Sequence, residues 1–212
     1  MNEWRQGGEQ PHPGADETIG GAIVRNPVVQ TLFLMSLVSA ATWVANFVGL
    51  SRELFVLSAP LADRPWTLVT SVYAHIGPDH LLGNAIMVLI FGGLVSISTT
   101  SLRFHLFFLI SGVSAGVAQV AAYHMQDSIL FLGVLGSSGA AFALMGYVLT
   151  SNILSKFVSD RLGLPRWFGA VVIVFVAAGL TMSYSAPGSA LFAHFTGAMI
   201  GLVAGHSRLL HT

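Results

Sequence analysis

Five stretches of this chain carry no Asp, Glu, Lys or Arg: residues 28–50, 81–102, 104–126, 128–155 and 167–202. A helix that crosses the hydrocarbon of a bilayer needs about 20 mostly apolar residues, and each stretch is long enough. The last is broken at Ser185-Ala186-Pro187-Gly188, a turn signal, and divides into two. Six spans follow, near 28–48, 82–102, 105–124, 134–154, 168–184 and 190–207. The expected fold is therefore an all-α, multi-pass membrane bundle of six helices. Composition agrees, because only 8% of residues are charged where soluble domains carry about 25%. Nine cations balance nine carboxylates, which argues against a nucleic-acid partner, since phosphate binding needs clustered cations. With no Cys, disulfides, thiol nucleophiles and Cys-held metals are excluded. Nothing in the sequence calls for a cofactor or a metal.

Residues 1–27 are polar, rich in Gly and Pro, and bear Glu3, Arg5, Glu9, Asp16 and Glu17. They are expected to form a disordered tail, leaving 28–212 as the functional domain. The first span starts too late and runs too long for the core of a cleaved signal peptide. Placing the N-terminus in the cytoplasm puts Arg5, Arg25, Arg103, Lys156, Arg161, Arg166 and Arg208 inside, and only Arg52 and Arg64 outside. That asymmetry sets the orientation, with both termini cytoplasmic; the expected location is the cell membrane, and the face called outside is the cell exterior, the periplasm or an organelle lumen. The outer segment 51–79 mixes Trp66 and Tyr73 with Arg52, Glu53, Asp63 and Arg64, as a structured loop at headgroup level would.

Polar groups placed in hydrocarbon are costly and mark function by default. His80 and Asn84 are four apart at the start of span two and share a helix face. They offer N–H donors without fixed charge, which suits an oxyanion site; Asn84 reads equally well as glue between helices. His75 lies outside the span and is also compatible with an ordinary loop position. A metal held by His75 and His80 is disfavoured, since no membrane carboxylate completes a ligand set. In Gly136-Ser137-Ser138-Gly139 two glycines flank a serine pair, opening the backbone to close approach. Gly139, Ala143 and Gly146 then form a small-residue stripe, and His194, Gly197 and Gly201 share one face of span six. A lone membrane His is more often a structural donor or proton carrier than a base. Packing these two small faces together, however, brings His194 near Ser138. The nine carboxylates all fall outside the spans, so the machinery implied is a Ser138–His194 dyad without an Asp, its imidazole held by aromatic packing on Phe142.

The ordered set His75-x4-His80-x3-Asn84, Gly136-x-Ser138-Gly139 and His194-x2-Gly197-x3-Gly201 resembles the rhomboid family of intramembrane serine proteases. The resemblance covers roughly residues 28–208. It implies Ser138 as nucleophile and His194 as general base. It also implies an oxyanion hole from His80, Asn84 and the Ser138 backbone N–H, with His75 bracing the outer loop and water access. Gly136 and Gly139 would flank the nucleophile, and Gly197 and Gly201 would let span six approach. The implied fold is a six-helix bundle with a water-filled cavity open to the outside. Its substrates would be transmembrane proteins, cut where their helices are weak.

Three positions depart from the family pattern. Phe142 stands where members often have Tyr, Ser96 where many bacterial members have Glu, and Trp66 is followed by Thr67 where members often show a Trp-Arg pair. Two rival readings are an inactive relative that binds membrane proteins, and a proton channel using His80 and His194 as relays. Retention of every dyad and donor residue opposes the first. The lack of membrane carboxylates or repeated halves opposes the second.

Overall fold

The computed structural model describes residues 19–125, 133–151, 166–185 and 188–212. Helix α1 (Ile19–Arg25) leads into α2 (Pro27–Phe47), where Asn26 caps the N-terminus by accepting from Val28 N at 2.9 Å and Pro27 occupies the first turn. Two short helices follow, α3 (Ser51–Phe55) and α4 (Thr67–Tyr73). Next come α5 (Pro78–Met87), a π-helical turn at Val88–Gly92 and α6 (Gly93–Ser96), which together make one rod. The chain continues as α7 (Ser101–Met125), α8 (Ser138–Ser151), α9 (Arg166–Tyr184) and α10 (Leu191–His206). The described residues contain no strand, only an isolated antiparallel bridge between Leu57 and Val134.

Among the described residues three rods are long and apolar enough to cross a membrane: Pro27–Phe47, Pro78–Ser96 and Ser101–Met125. Ser138–Ser151, Val174–Tyr184 and Leu191–His206 are apolar but shorter. Several expected bounds move. The second span begins at Pro78 rather than 82, because Pro at the first position starts a helix readily, and it ends at Ser96 rather than 102. The fourth begins at Ser138 rather than 134. Gly133 and Gly136 hold φ of +148° and +125°, values that exclude helix, and Val134 pairs with Leu57 instead. The end of the expected tail is helical over Ile19–Arg25; residues 1–18 and the expected cytoplasmic turn at Lys156, Asp160 and Arg161 lie outside the described residues.

Helix α8 is the centre of the molecule. Every residue from Gly139 to Tyr147 is buried, as befits a helix apolar on all sides. Helix α10 lies along it without intervening side chains. A Cβ on Gly197 would strike the Gly139 carbonyl, one on Gly201 the Ala143 carbonyl and one on Gly205 the Tyr147 carbonyl. Gly146 returns the contact, since a Cβ there would come within 2.6 Å of Ala198 O. Such backbone-to-backbone packing is how small residues join helices where lipid removes the hydrophobic drive. The stripe read from the sequence is thus one residue longer, ending at Gly205.

The segment 51–79 is ordered by polar ties. Arg64 pairs with Glu53 at 3.0 Å, Trp66 Nε1 donates to Glu53 O at 3.0 Å, and Thr70 Oγ1 donates to Leu54 O at 2.6 Å. Backbone bonds then join this loop to the approach of α8: Leu57 N to Val134 O, Val134 N to Leu57 O and Gly136 N to Ser71 O, all within 2.9 Å.

Candidate active site

Ser138 is the first residue of α8. The amides of a helix's first turn have no acceptor inside the helix, so the Ser138 N–H is a donor by position. Its neighbour Ser137 precedes the helix, where its carbonyl accepts from Ala141 N at 2.9 Å. The two serines differ in what they touch. Ser137 is fully buried and its Oγ lies 3.1 Å from His75 Nε2. Ser138 is partly exposed, and its hydroxyl makes no hydrogen bond among the described residues.

His75 is completely buried. Its Nδ1 lies 3.1 Å from Tyr73 O and 2.9 Å from Ser39 Oγ, while Ser39 Oγ also donates to Tyr73 O. A carbonyl only accepts, so Nδ1 carries the proton and Nε2 is bare. Nε2 then accepts from Ser137 Oγ–H, and from Ser137 N–H at 3.4 Å. Burial, and next the neighbouring His80, holds this imidazole down at about 3 against a small upward push from the Tyr73 carbonyl, so it is neutral. Trp43 Nε1 donates to the His75 carbonyl at 2.9 Å. Far from an ordinary loop position, His75 ties α2, the 51–79 segment and the start of α8 together. Ser137 and His75 are a serine–histidine pair in contact, yet both are wholly enclosed and no substrate carbonyl reaches them.

His80 stands beside this group, its ring edge-on to His75 at 5.0 Å between centroids. It also lies against Gly136, where a Cβ would come within 2.7 Å of the imidazole. Here the absent side chain makes room for the ring as well as permitting the positive φ. Asn84 is buried, and its Nδ2 donates to His80 O at 3.1 Å within its own helix. It does not serve as glue between helices through that bond, and its second N–H makes no hydrogen bond among the described residues.

His194 enters from α10. It is 6% exposed, and its ring stacks on Phe142 at 4.4 Å with a 12° interplanar angle. The Gly139–Gly197 contact brings the two helices to touching distance, one residue from Ser138 and three from His194. His80 and His194 are within electrostatic reach of each other. No hydrogen bond joins Ser138 Oγ to His194 among the described residues; such contacts are often long without substrate and tighten only in the complex.

Two participants were not read from the sequence. Ser185 Oγ lies 2.5 Å from His194 Nδ1; in the sequence it was only the first residue of a turn signal. Gln119, buried in α7, accepts from Ala193 N at 3.1 Å through Oε1 and so caps the first turn of α10. Being uncharged, it left the charge-free run unbroken. At the departures, Phe142 supplies the stacking ring, Ser96 Oγ turns back to Gly93 O at 2.8 Å, and Trp66 is half-exposed and tied to Glu53.

Helices of membrane length, a seam of glycines joining α8 and α10, and the enclosed polar groups His75, Asn84, Ser137 and His194 define an integral membrane protein with a polar site inside its bundle. Residues 62–210 match the Rhomboid domain, and the chain belongs to the rhomboid family. It is 24% identical over 140 residues to rhomboid protease GlpG of Haemophilus influenzae, covering 66% of this chain and 68% of that one. It is 31% identical over 150 residues to RHOMBOID-like protein 6, mitochondrial, of Arabidopsis thaliana, covering 70% of this chain but only 45% of that protein. Rhomboid-related protein 2 of Mus musculus is 24% identical over 180 residues, 79% of this chain and 58% of the other. The chain thus spans about half the length of these two eukaryotic relatives.

Proposed function

We propose that this chain is an intramembrane serine endopeptidase that cleaves transmembrane segments of membrane proteins, built on six membrane-spanning helices with the site facing away from the cytoplasm. The seven-to-two cation asymmetry supports the orientation with both termini cytoplasmic, and the cell membrane is the proposed location. Ser138 Oγ attacks the scissile carbonyl, and its proton passes to His194 Nε2. The oxyanion is met by the Ser138 backbone N–H, the remaining Asn84 N–H and the His80 imidazole, where one donor in a water-poor site is worth roughly 3 kcal/mol. His194 then returns the proton to the leaving amine, and water repeats the cycle on the acyl-enzyme.

One observation carries this reading. The backbone contact of Gly139 with Gly197, together with the Phe142–His194 stack, supports pairing this imidazole with Ser138, whose hydroxyl makes no hydrogen bond among the described residues. Transmembrane substrates hide their carbonyls in helical hydrogen bonds, so segments that unwind readily are the ones cut. The test is cleavage of a model transmembrane substrate by the purified full chain in detergent. Ser138→Ala and His194→Ala are expected to lose about 1,000-fold or more in kcat with unfolding temperatures unchanged. Undiminished cleavage by Ser138→Ala overturns the proposal.

A further inference from the structure

His194 has two ring nitrogens, and only one can take the Ser138 proton. Its Nδ1 is 2.5 Å from Ser185 Oγ. Ser185 directly follows α9, and its N–H bonds to Thr181 O at 3.2 Å, extending the last turn of that helix. The hydroxyl is therefore presented to His194 by a different helix from those that carry the dyad.

A hydroxyl both donates and accepts, so two arrangements are open to this pair. If Ser185 donates, Nδ1 is bare, Nε2 carries the hydrogen, and the ring is unable to accept from Ser138. If Ser185 accepts, Nδ1 carries the hydrogen and Nε2 is free. The nitrogen that holds the proton is decided by the bond the other one makes. We propose that Ser185 is a positioning residue: it accepts a hydrogen bond from His194 Nδ1–H and so keeps the imidazole in the tautomer whose Nε2 removes the Ser138 proton. This rests on the protease reading above and adds the regulator of its base.

The surroundings of the imidazole favour this role. Phe142 covers one ring face and offers no edge acceptor. A titratable neighbour on another helix is His80 on α5, a second imidazole without fixed charge. Gln119 on α7 is engaged with Ala193 N. Among the described residues the carboxylates are Glu53, Asp63 and Asp79, and all three are exposed. A buried carboxylate at the place of Ser185 would carry the expense of an unpaired charge in the membrane; a hydroxyl fixes the same tautomer without it. During acylation the Ser138 proton moves to Nε2 as the Oγ–carbon bond forms. It then leaves on the amine nitrogen as the carbon–nitrogen bond breaks. Nδ1–H stays on Ser185 throughout, and Ser185 keeps its own proton.

The experiment compares the full chain with Ser185→Ala and Ser185→Thr in detergent, with Ser138→Ala as the blank. Readouts are kcat and KM on a model transmembrane substrate, the rate of fluorophosphonate labelling of Ser138, and the unfolding temperature. Ser185→Ala is expected to lose roughly 10- to 100-fold in kcat and in labelling rate with KM unchanged, the worth of one hydrogen bond to a group that becomes charged. Ser185→Thr, which restores the hydroxyl, is expected to recover most of both. Wild-type rates in Ser185→Ala, or a Thr variant no better than Ala, overturn the proposal while leaving the protease reading intact. Absence of cleavage and labelling in the wild type sinks the protease reading itself. If Ser185→Ala does not fold, nitrogen chemical shifts of 15N-labelled His194 in the wild type decide: protonated Nδ1 with bare Nε2 is expected, and the reverse tautomer refutes the assignment.

Discussion

Helices α8 and α9 are alike in composition and opposite in situation. Both are apolar; α8 lies wholly in a charge-free run, and α9 carries one charge, Arg166 at its first position. From Gly139 to Tyr147 α8 is buried on every side. Of the described side chains of α9 only Ala177 and Thr181 are buried, while Phe175, Met182 and Tyr184 are more than 60% exposed. Ala177 and Leu180 join the small apolar cluster of Phe142, Met145, Ala198 and Leu202, which seats α9 against α8 and α10. Hydropathy says that a segment enters the membrane; residue size says where in the bundle it goes. Helix α8 has Gly, Ala and Gly on the face that meets α10, whereas α9 faces outward with bulky side chains.

The sharpest way to break the contrast is to add atoms to each helix environment. Gly201→Leu puts a side chain into the Ala143 carbonyl, which is backbone and cannot turn aside. The expected result is loss of about 3 kcal/mol or more of stability, read as collapse of the unfolding transition in detergent. Gly179 on α9 has nothing within 4 Å of an added Cβ. Gly179→Ala is expected to be neutral or to gain roughly 0.5–1 kcal/mol from helix propensity. Equal effects at the two sites would show that the seam is not where the bundle is held.

A smaller effect separates the paired serines at the head of α8. Ser137→Ala leaves His75 Nε2 without its hydroxyl donor, costing about 1–2 kcal/mol for a buried polar atom, while fluorophosphonate labelling of Ser138 persists. Loss of labelling with full stability would move the nucleophile to Ser137.

A further effect is read in the acid dependence of stability. His75 is held at about 3 in the fold against 6.5 for the free side chain. The unfolded chain therefore binds the extra proton between those values, and stability rises with pH across that window. His75 contributes fully above 6.5, and its contribution drains away as pH falls toward 3. Unfolding temperatures measured from about pH 7 to about pH 4 are expected to decline less steeply in His75→Gln than in the wild type. Identical slopes would mean that His75 titrates normally.

Much of this architecture was legible because the membrane imposes blunt rules. Charge-free length marked the apolar segments, and small residues at helical spacing marked the seam. What escaped notice depended on the chain's path between segments. The start of α8 was displaced by two glycines with positive φ and by pairing of Val134 with Leu57, residues 77 positions apart. Ser39, 36 residues from His75, gave no local sign that it would lie on the imidazole. Ser185 was disguised by its neighbours, since a Ser beside Pro and Gly looks like turn chemistry. Gln119 was hidden by neutrality. His75, His80, Asn84, Ser138 and His194 stood out because they are polar residues in or next to oily segments, an incongruity that a single sequence displays without help.

The repeat of Gly197, Gly201 and Gly205 along α10 has a mechanical corollary. Each fits over one carbonyl of α8, so the two rods mesh like a key in a keyway cut every fourth residue. Sliding by a fraction of that interval would drive a methyl group or larger into main chain, and the next notch is about 6 Å away. Substrate entry can bend or part other elements of the bundle, but the axial offset between α8 and α10 is indexed, and thermal jostling along that direction finds no intermediate stop.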